Sequence, residues 1–340
     1  MTNAIDVAVV GATGAVGEVM LRILAERKFP VGKVHALASA RSVGSTVKFG
    51  NRDINVNDLA EFDFSQVRIA LFSAGGSVSA EFAPKAAAAG CVVIDNTSHF
   101  RRDADIPLVV PEVNPERIAD YKQRGIIANP NCSTIQMLVA LKPIHDAARI
   151  LRINVATYQA VSGAGRSAIE ELARQTVALL NGRPLELSGP AKQIAFNVVP
   201  HIDEFQDNGY TREEMKMVWE TRKILGDDTI EVNPTAVRVP VFYGHSEAIH
   251  LETERKISAA DVQELLRKAP GVELLDGRKM GAYPTAVTES SGKDAVFAGR
   301  VREDISHPRG INLWVVSDNI RKGAALNSVQ IAEILAKKYF

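Results

Sequence analysis

The chain has 340 residues, 46% of them hydrophobic and 24% charged, and its 40 basic and 40 acidic side chains cancel to a formal net charge of zero. This is the balance of a globular protein long enough for two cores. It excludes a global field that would draw the chain to nucleic acid or an anionic membrane, so any anion must be held by a few local cations. No apolar run reaches the roughly 18 residues of a membrane span, and the first residues lack the basic start and long apolar core of a secretory leader. Two cysteines, Cys91 and Cys132, are too few for a stapled secreted scaffold. The expected location is the cytoplasm, where thiols stay reduced.

Residues 5–10 are apolar and β-branched and read as a buried strand. Gly11, Gly14 and Gly17 follow, then an amphipathic run over 16–27. Glycines between a strand and a helix let the backbone approach a pyrophosphate, and the helix N-terminus adds N–H donors. The spacing is a variant of the usual dinucleotide fingerprint, and a tight turn with no ligand has the same pattern. A second strand is expected at 34–38. The sequence beyond it carries no acid for ribose hydroxyls, but it does carry Arg41 and Ser42, which suit a 2′-phosphate and hence NADP. A plain solvated loop would read the same way. Further strands are expected at 67–72, 92–94 and 126–128, with a helix over 78–89. Strand alternating with helix implies a parallel sheet.

After about residue 132 the texture changes. Longer strands with two unlike faces are expected at 150–159, 235–242, 247–254, 295–301 and 311–316, with helices at 168–180, 213–225 and 259–268. Residues 181–193 read as a long connection. The amphipathic stretch 322–338 reads as a helix that packs back on the first domain. The expected fold class is α/β, with an N-terminal Rossmann-like domain (1–131 plus 319–340) and an α+β domain (132–318).

Cys132 follows Asn129, Pro130 and Asn131 and opens an apolar run, which places its thiol at a helix N-terminus. The helix dipole favours a thiolate there, and nearby N–H groups can stabilise an oxyanion. Cys91, at the start of a strand, reads as a small buried apolar residue. A nucleophilic thiolate needs an acid–base partner. His245, in a turn between two strands, is one candidate among seven histidines. Arg238, on a strand with apolar neighbours, is either an internal ion pair or a grip for a substrate carboxylate. Arg101, after Thr97, Ser98, His99 and Phe100, is either a solvated loop charge or an anion site.

Taken in order, several segments together resemble the aspartate-semialdehyde dehydrogenase family from end to end. They are the loop 11–17, 96–101, 129–134, 159–165, 213–223, 238–241, 244–248 and 314–319. The resemblance implies reversible, NADPH-dependent reductive dephosphorylation of L-aspartyl-4-phosphate to L-aspartate 4-semialdehyde through a cysteine thioester. It further implies a homodimer, a role in lysine, threonine, methionine, isoleucine and diaminopimelate synthesis, and no metal. By position, Cys132 resembles the acyl-carrying cysteine and His245 the general acid/base. Gln159, Glu220 and Arg238 resemble substrate contacts, and Arg101 and Lys223 phosphate contacts, with Lys216 a second basic candidate. Gly11, Thr13, Gly14, Ala15, Val16, Arg41, Ser42, Ser162, Gly163 and Asn319 resemble cofactor contacts. The rival readings are an N-acetyl-γ-glutamyl-phosphate reductase, which uses the same thioester chemistry on a longer substrate, and a silent relative kept for binding.

Overall fold

The first apolar run forms β1 (Ile5–Val10), buried except at Asp6, and the glycine loop turns it into α1 (Ala15–Glu26). The computed structural model describes residues 4–187 and 192–340. These residues divide into two compact units, 1–131 with 323–340, and 132–322.

The first unit continues with β2 (Val31–Ala38), β3 (Thr46–Phe49), β4 (Arg52–Asp58), β5 (Ile69–Phe72), α2 (Gly76–Ala88), β6 (Val92–Asp95) and β7 (Ile126–Ala128). Its sheet has the order β3-β4-β2-β1-β5-β6-β7, parallel throughout except for the β3–β4 hairpin at one edge. From β4 onward this is the doubly wound dinucleotide-binding order, with β1 and β5 at the point where the winding reverses. The hairpin escaped the sequence reading because its apolar alternation is short, and of Val47, Phe49, Ile54 and Val56 only Val47 and Val56 are buried.

The second unit opens with α3 (Cys132–Ala148) and β8 (Ile150–Gln159), followed by α4 (Arg166–Leu180), α5 (Arg212–Leu225) and β9 (Glu231–Arg238). β10 (His245–Thr253), α6 (Ala259–Lys268), β11 (Val272–Leu274), β12 (Val296–Glu303) and β13 (Gly310–Ser317) complete it. Six strands form one mixed sheet in the order β11-β12-β13-β10-β8-β9. Residues 188–191 of the expected connection lie outside the described residues. The strand expected at 235–242 sits four residues earlier, because it pairs in parallel with β8 over 231–238 and then leaves the sheet before Pro240. Pro234 is tolerated because β9 is an edge strand.

Along β8 from Ile153 onward and along β10 and β13 the odd-numbered residues are buried, and along β9 the even ones at 234 and 236. That face packs against α3. The opposite face, with Asn154, Ala156, His250, Asn312 and Trp314, carries an open groove of about 670 Å³.

The last helix, α7 (Leu326–Lys338), belongs to the first unit. Its Val329, Ile331, Ala332 and Leu335 join the core formed by β1 and α1, and Arg27 pairs with Glu333 at 2.7 Å. The chain leaves the second unit at Gly323 rather than at residue 319. Residues 318–321 are held back there, where Asp318 accepts from the Gly292 N–H at 2.7 Å and Arg321 pairs with Asp294 at 2.7 Å. No described helix is long and apolar enough to cross a membrane.

The glycine loop supplies a test of this packing. A Cβ at Gly17 would stand 2.2 Å from the Gly11 carbonyl oxygen and 2.8 Å from Ala12 Cα, both backbone atoms. Gly17→Ala should cost about 1–3 kcal/mol in thermal or urea denaturation. Gly76→Ala, which meets nothing within 4 Å, should not.

Candidate active site

In the first unit the loops after β1, β2, β4 and β5 surround a cleft of about 610 Å³, lined by Gly11, Thr13, Gly14, Ser39, Arg41, Ser42, Asp58 and Ser73 among others. Gly11 has φ +84°, in the left-handed region, and a Cβ there would meet the Ser73 and Ala74 backbone at 2.9–3.0 Å. Gly14 caps α1 without a side chain, so the first N–H groups of the helix have no side-chain acceptor from the cap. A cleft of this shape at a helix N-terminus fits a dinucleotide pyrophosphate. Arg41 is exposed and Ser42 half-buried at the far wall. The sequence shows no acid after β2, but the hairpin brings one by another route: Asp58 pairs in register with Ala38.

Arg101, also in this unit, is 9% exposed, so it is not a solvated loop charge. Its Nη2 donates to the Asn96 carbonyl at 2.8 Å. Buried Asp95 braces the same loop by accepting from Ser79 Oγ and Thr97 Oγ1, each at 2.7 Å. Cys91 is buried, and burial pushes its thiol up to about 12, which suits a structural residue.

The second unit gathers the remaining candidates on the helix-covered face of its sheet. Gln159 pairs with Arg238 across β8 and β9, and His245 pairs with Ser317 across β10 and β13. Ser246 pairs with Tyr158, so one step further along places His245 beside Gln159. Paired residues share a face. Ser317, His245, Gln159 and Arg238 therefore form a single rung across four strands. Cys132 is the first residue of α3, which packs on this face, and its thiol is partly exposed.

Ala160, just beyond the rung, holds two of its members. Its N–H donates to His245 Nδ1 at 3.0 Å, and its carbonyl accepts from Arg238 Nη1 at 2.8 Å. His245 is not the exposed turn residue expected but the fully buried first residue of β10. Because Nδ1 accepts, the neutral ring carries its proton on Nε2. Burial, with the Arg238 charge, lowers its pKa to about 3, against an opposing pull from Glu213. Burial also lowers the Arg238 pKa, opposed by the charges of Glu213 and Cys132, but a guanidinium stays charged. Gly163 lets these groups close up, since a Cβ there would meet Arg238 Nη1 at 3.0 Å and His245 at 3.3 Å. Asn319 Oδ1 accepts from the Gly244 N–H at 2.9 Å and bonds Ser162 Oγ, which fixes the approach to His245.

Glu213 is the acid that α5 brings to this group. It accepts from Gln159 Nε2 at 3.2 Å and pairs with Lys216 at 3.0 Å. Lys216 also pairs with Asp203 at 2.8 Å, and although burial alone would lower its pKa, the two carboxylates hold it raised. The family pattern had pointed to Glu220 and Lys223. These lie seven residues further along α5, about two turns or 10 Å. Two turns return to the same helical face, so sequence spacing cannot separate the two pairs. The hydrogen bond to Gln159 does separate them.

Residues 6–121 match the family profile described as semialdehyde dehydrogenase, NAD binding domain, and residues 141–322 match semialdehyde dehydrogenase, dimerisation domain. The chain is 65% identical over 340 residues to the aspartate-semialdehyde dehydrogenase of Shewanella violacea, with each chain covered completely. Aspartate semialdehyde dehydrogenase II of Vibrio cholerae, solved in complex with ASA, superposes with a TM-score of 0.97 at 62% identity, covering 99% of this chain and 100% of that one. The Candida albicans enzyme, solved with NADP, superposes with a TM-score of 0.78 at 27% identity over 98% of each chain. The chain belongs to the aspartate-semialdehyde dehydrogenase family.

Proposed function

We propose that the protein interconverts L-aspartyl-4-phosphate and L-aspartate 4-semialdehyde with NADP(H), through an acyl thioester on Cys132. The observation that carries this reading is the rung of His245, Gln159 and Arg238 on the sheet face beneath α3, whose first residue is Cys132. In the biosynthetic direction the Cys132 thiolate attacks the acyl carbon. The carbon–oxygen bond to phosphate breaks, and phosphate leaves with the electron pair. Bound NADPH supplies the hydride that takes the thioester to the aldehyde level. As the carbon becomes tetrahedral, negative charge gathers on its oxygen, and the carbon–sulfur bond then breaks to return Cys132 as thiolate.

His245 serves this chemistry as a fixed Nε2–H donor to that oxygen. Nε2 is buried and has no hydrogen-bond partner among the described residues, so its donor is available to a ligand. The Arg238 guanidinium suits the α-carboxylate and the Glu213 carboxylate the α-ammonium, with Gln159 between them. Lys216 and Arg101 are the cations assigned to phosphate. The glycine loop, Arg41 and Ser42 hold the nucleotide, and Arg41 and Ser42 favour a 2′-phosphate. The open sheet face of the second unit, with Trp314 and Asn312, is assigned to a second copy of the chain in a cytoplasmic homodimer.

Cys132→Ala should abolish phosphate-dependent NADPH formation from aspartate semialdehyde while NADP binding, measured by calorimetry, stays within about twofold, since cofactor affinity lies in the other unit's cleft. Turnover near that of the parent would remove Cys132 as nucleophile.

The depressed His245 pKa gives a second test. The unfolded chain takes up a proton on this ring below its ordinary 6.5, whereas the folded chain does so only near 3. The stability this contributes is complete above 6.5 and is lost as pH falls through about 3. The melting-temperature gap between the parent and His245→Gln should therefore shift across that window. A gap independent of pH would show that the ring is not held neutral.

A further inference from the structure

One buried ionisable side chain on the catalytic face has no part in the chemistry above. Glu247 lies two residues after His245 on β10, so both side chains point to the same face. Its own rung pairs it with Val315 on β13 and Thr157 on β8, and the next rung inward is Leu313, Ile249 and Val155. Glu247 thus stands where the catalytic row gives way to apolar core, at a position the strand pattern would fill with an aliphatic residue. It is fully buried, and among the described residues neither carboxyl oxygen has a partner at good hydrogen-bond geometry. The polar side chain beside it is Gln136 of α3, 1% exposed, whose amide likewise has no partner at good hydrogen-bond geometry among the described residues. Gln136 is four residues after Cys132, so it repeats the cysteine's face one turn along the helix. Cys132 over Gln136 on the helix is matched by His245 over Glu247 on the strand.

We propose that Glu247 is a neutral carboxylic acid in the working enzyme and a positioning residue, tying the turn of α3 that carries Cys132 to the strand that carries His245. A protonated carboxyl and a primary amide are complementary in both directions: the acid O–H donates to the amide oxygen, and the amide N–H donates to the acid carbonyl. A carboxylate can only accept, and burying it uncompensated would cost far more than burying the acid. The elements packed on β10 are α3, β8 and β13. Of these, α3 carries Cys132 in its first turn and Lys142, His145 and Asp146 further along, and β8 carries Arg152 and Tyr158 at even-numbered positions that face the other side of the sheet. β13 carries no ionisable side chain, and β10 itself carries His245 on this face and His250 and Glu252 on the other. Burial pushes the Glu247 carboxyl well above the ordinary range, and the Gln136 amide pulls the other way. A neutral acid also adds no negative charge behind the cysteine, where a carboxylate would oppose the thiolate.

The test uses the full chain with Glu247→Gln and Glu247→Ala. Glutamine keeps a neutral, hydrogen-bonding group of the same shape. The pH midpoint for iodoacetamide alkylation of Cys132 should be unchanged in Glu247→Gln, and kcat should stay within about twofold. Its melting temperature should match that of the parent near pH 4.5 and exceed it increasingly as pH rises. The unfolded parent ionises Glu247 above about 4.5 while the folded parent keeps the proton, so the parent loses stability there and the glutamine variant does not. Glu247→Ala should lower kcat about tenfold or more with KM little changed, since it removes alignment rather than substrate contacts. A downward move of the alkylation midpoint in Glu247→Gln would show that a native carboxylate had been removed, and would overturn the proposal. So would an unchanged kcat in Glu247→Ala. If the alanine variant does not fold, the alkylation midpoint and the pH dependence of melting in the glutamine variant decide the matter.

Discussion

Ala160 gives the catalytic face its backbone twice, donating its N–H to His245 Nδ1 and accepting from Arg238 Nη1 at its carbonyl. A backbone peptide is rigid, and its donor and acceptor are of fixed identity, so the two bonds do more than restrain rotamers. The N–H cannot become an acceptor, so the imidazole must keep Nδ1 bare and its proton on Nε2. The carbonyl holds one arm of the guanidinium and leaves the rest of the fork to other partners. The fixed cation beside the ring also disfavours imidazolium.

The arrangement depends on the sheet that lies under it. Ser317, His245, Gln159 and Arg238 come from four strands, and strand register brings them to one level. A one-residue slip in any strand would turn its member to the open face. The apolar rungs below, such as Leu313, Ile249 and Val155, fix that register through packing. Core and site are therefore successive levels of one surface, with Glu247 at the step between them. The nucleotide cleft is organised differently. There loops at the strand ends do the work, and glycines at 11 and 17 are required because backbone occupies the space a Cβ would need.

Much of this was legible in the sequence. The strand–glycine–helix start, the change of texture after residue 132 and the cysteine at a helix N-terminus follow from period and turn chemistry alone. The β3–β4 hairpin did not, because its alternation of Val47, Phe49, Ile54 and Val56 with polar residues is short and half-exposed, and so Asp58 went unseen beside the cleft. His245 read as an exposed turn because Gly244 precedes it, whereas the strand begins at the histidine itself. Glu213 and Lys216 could not be told from Glu220 and Lys223, since both pairs share a helical face. The roles of Ala160 and Glu247 depend on long-range register, which no local pattern reports.

The thioester is the claim on which every assigned role depends. It is tested most directly by mixing the protein with aspartate semialdehyde and NADP in the absence of phosphate, quenching in acid and mapping the modified peptide by mass spectrometry. The account predicts an aspartyl adduct on the peptide bearing Cys132, released by hydroxylamine. An adduct on Cys91 or on any other side chain would contradict it.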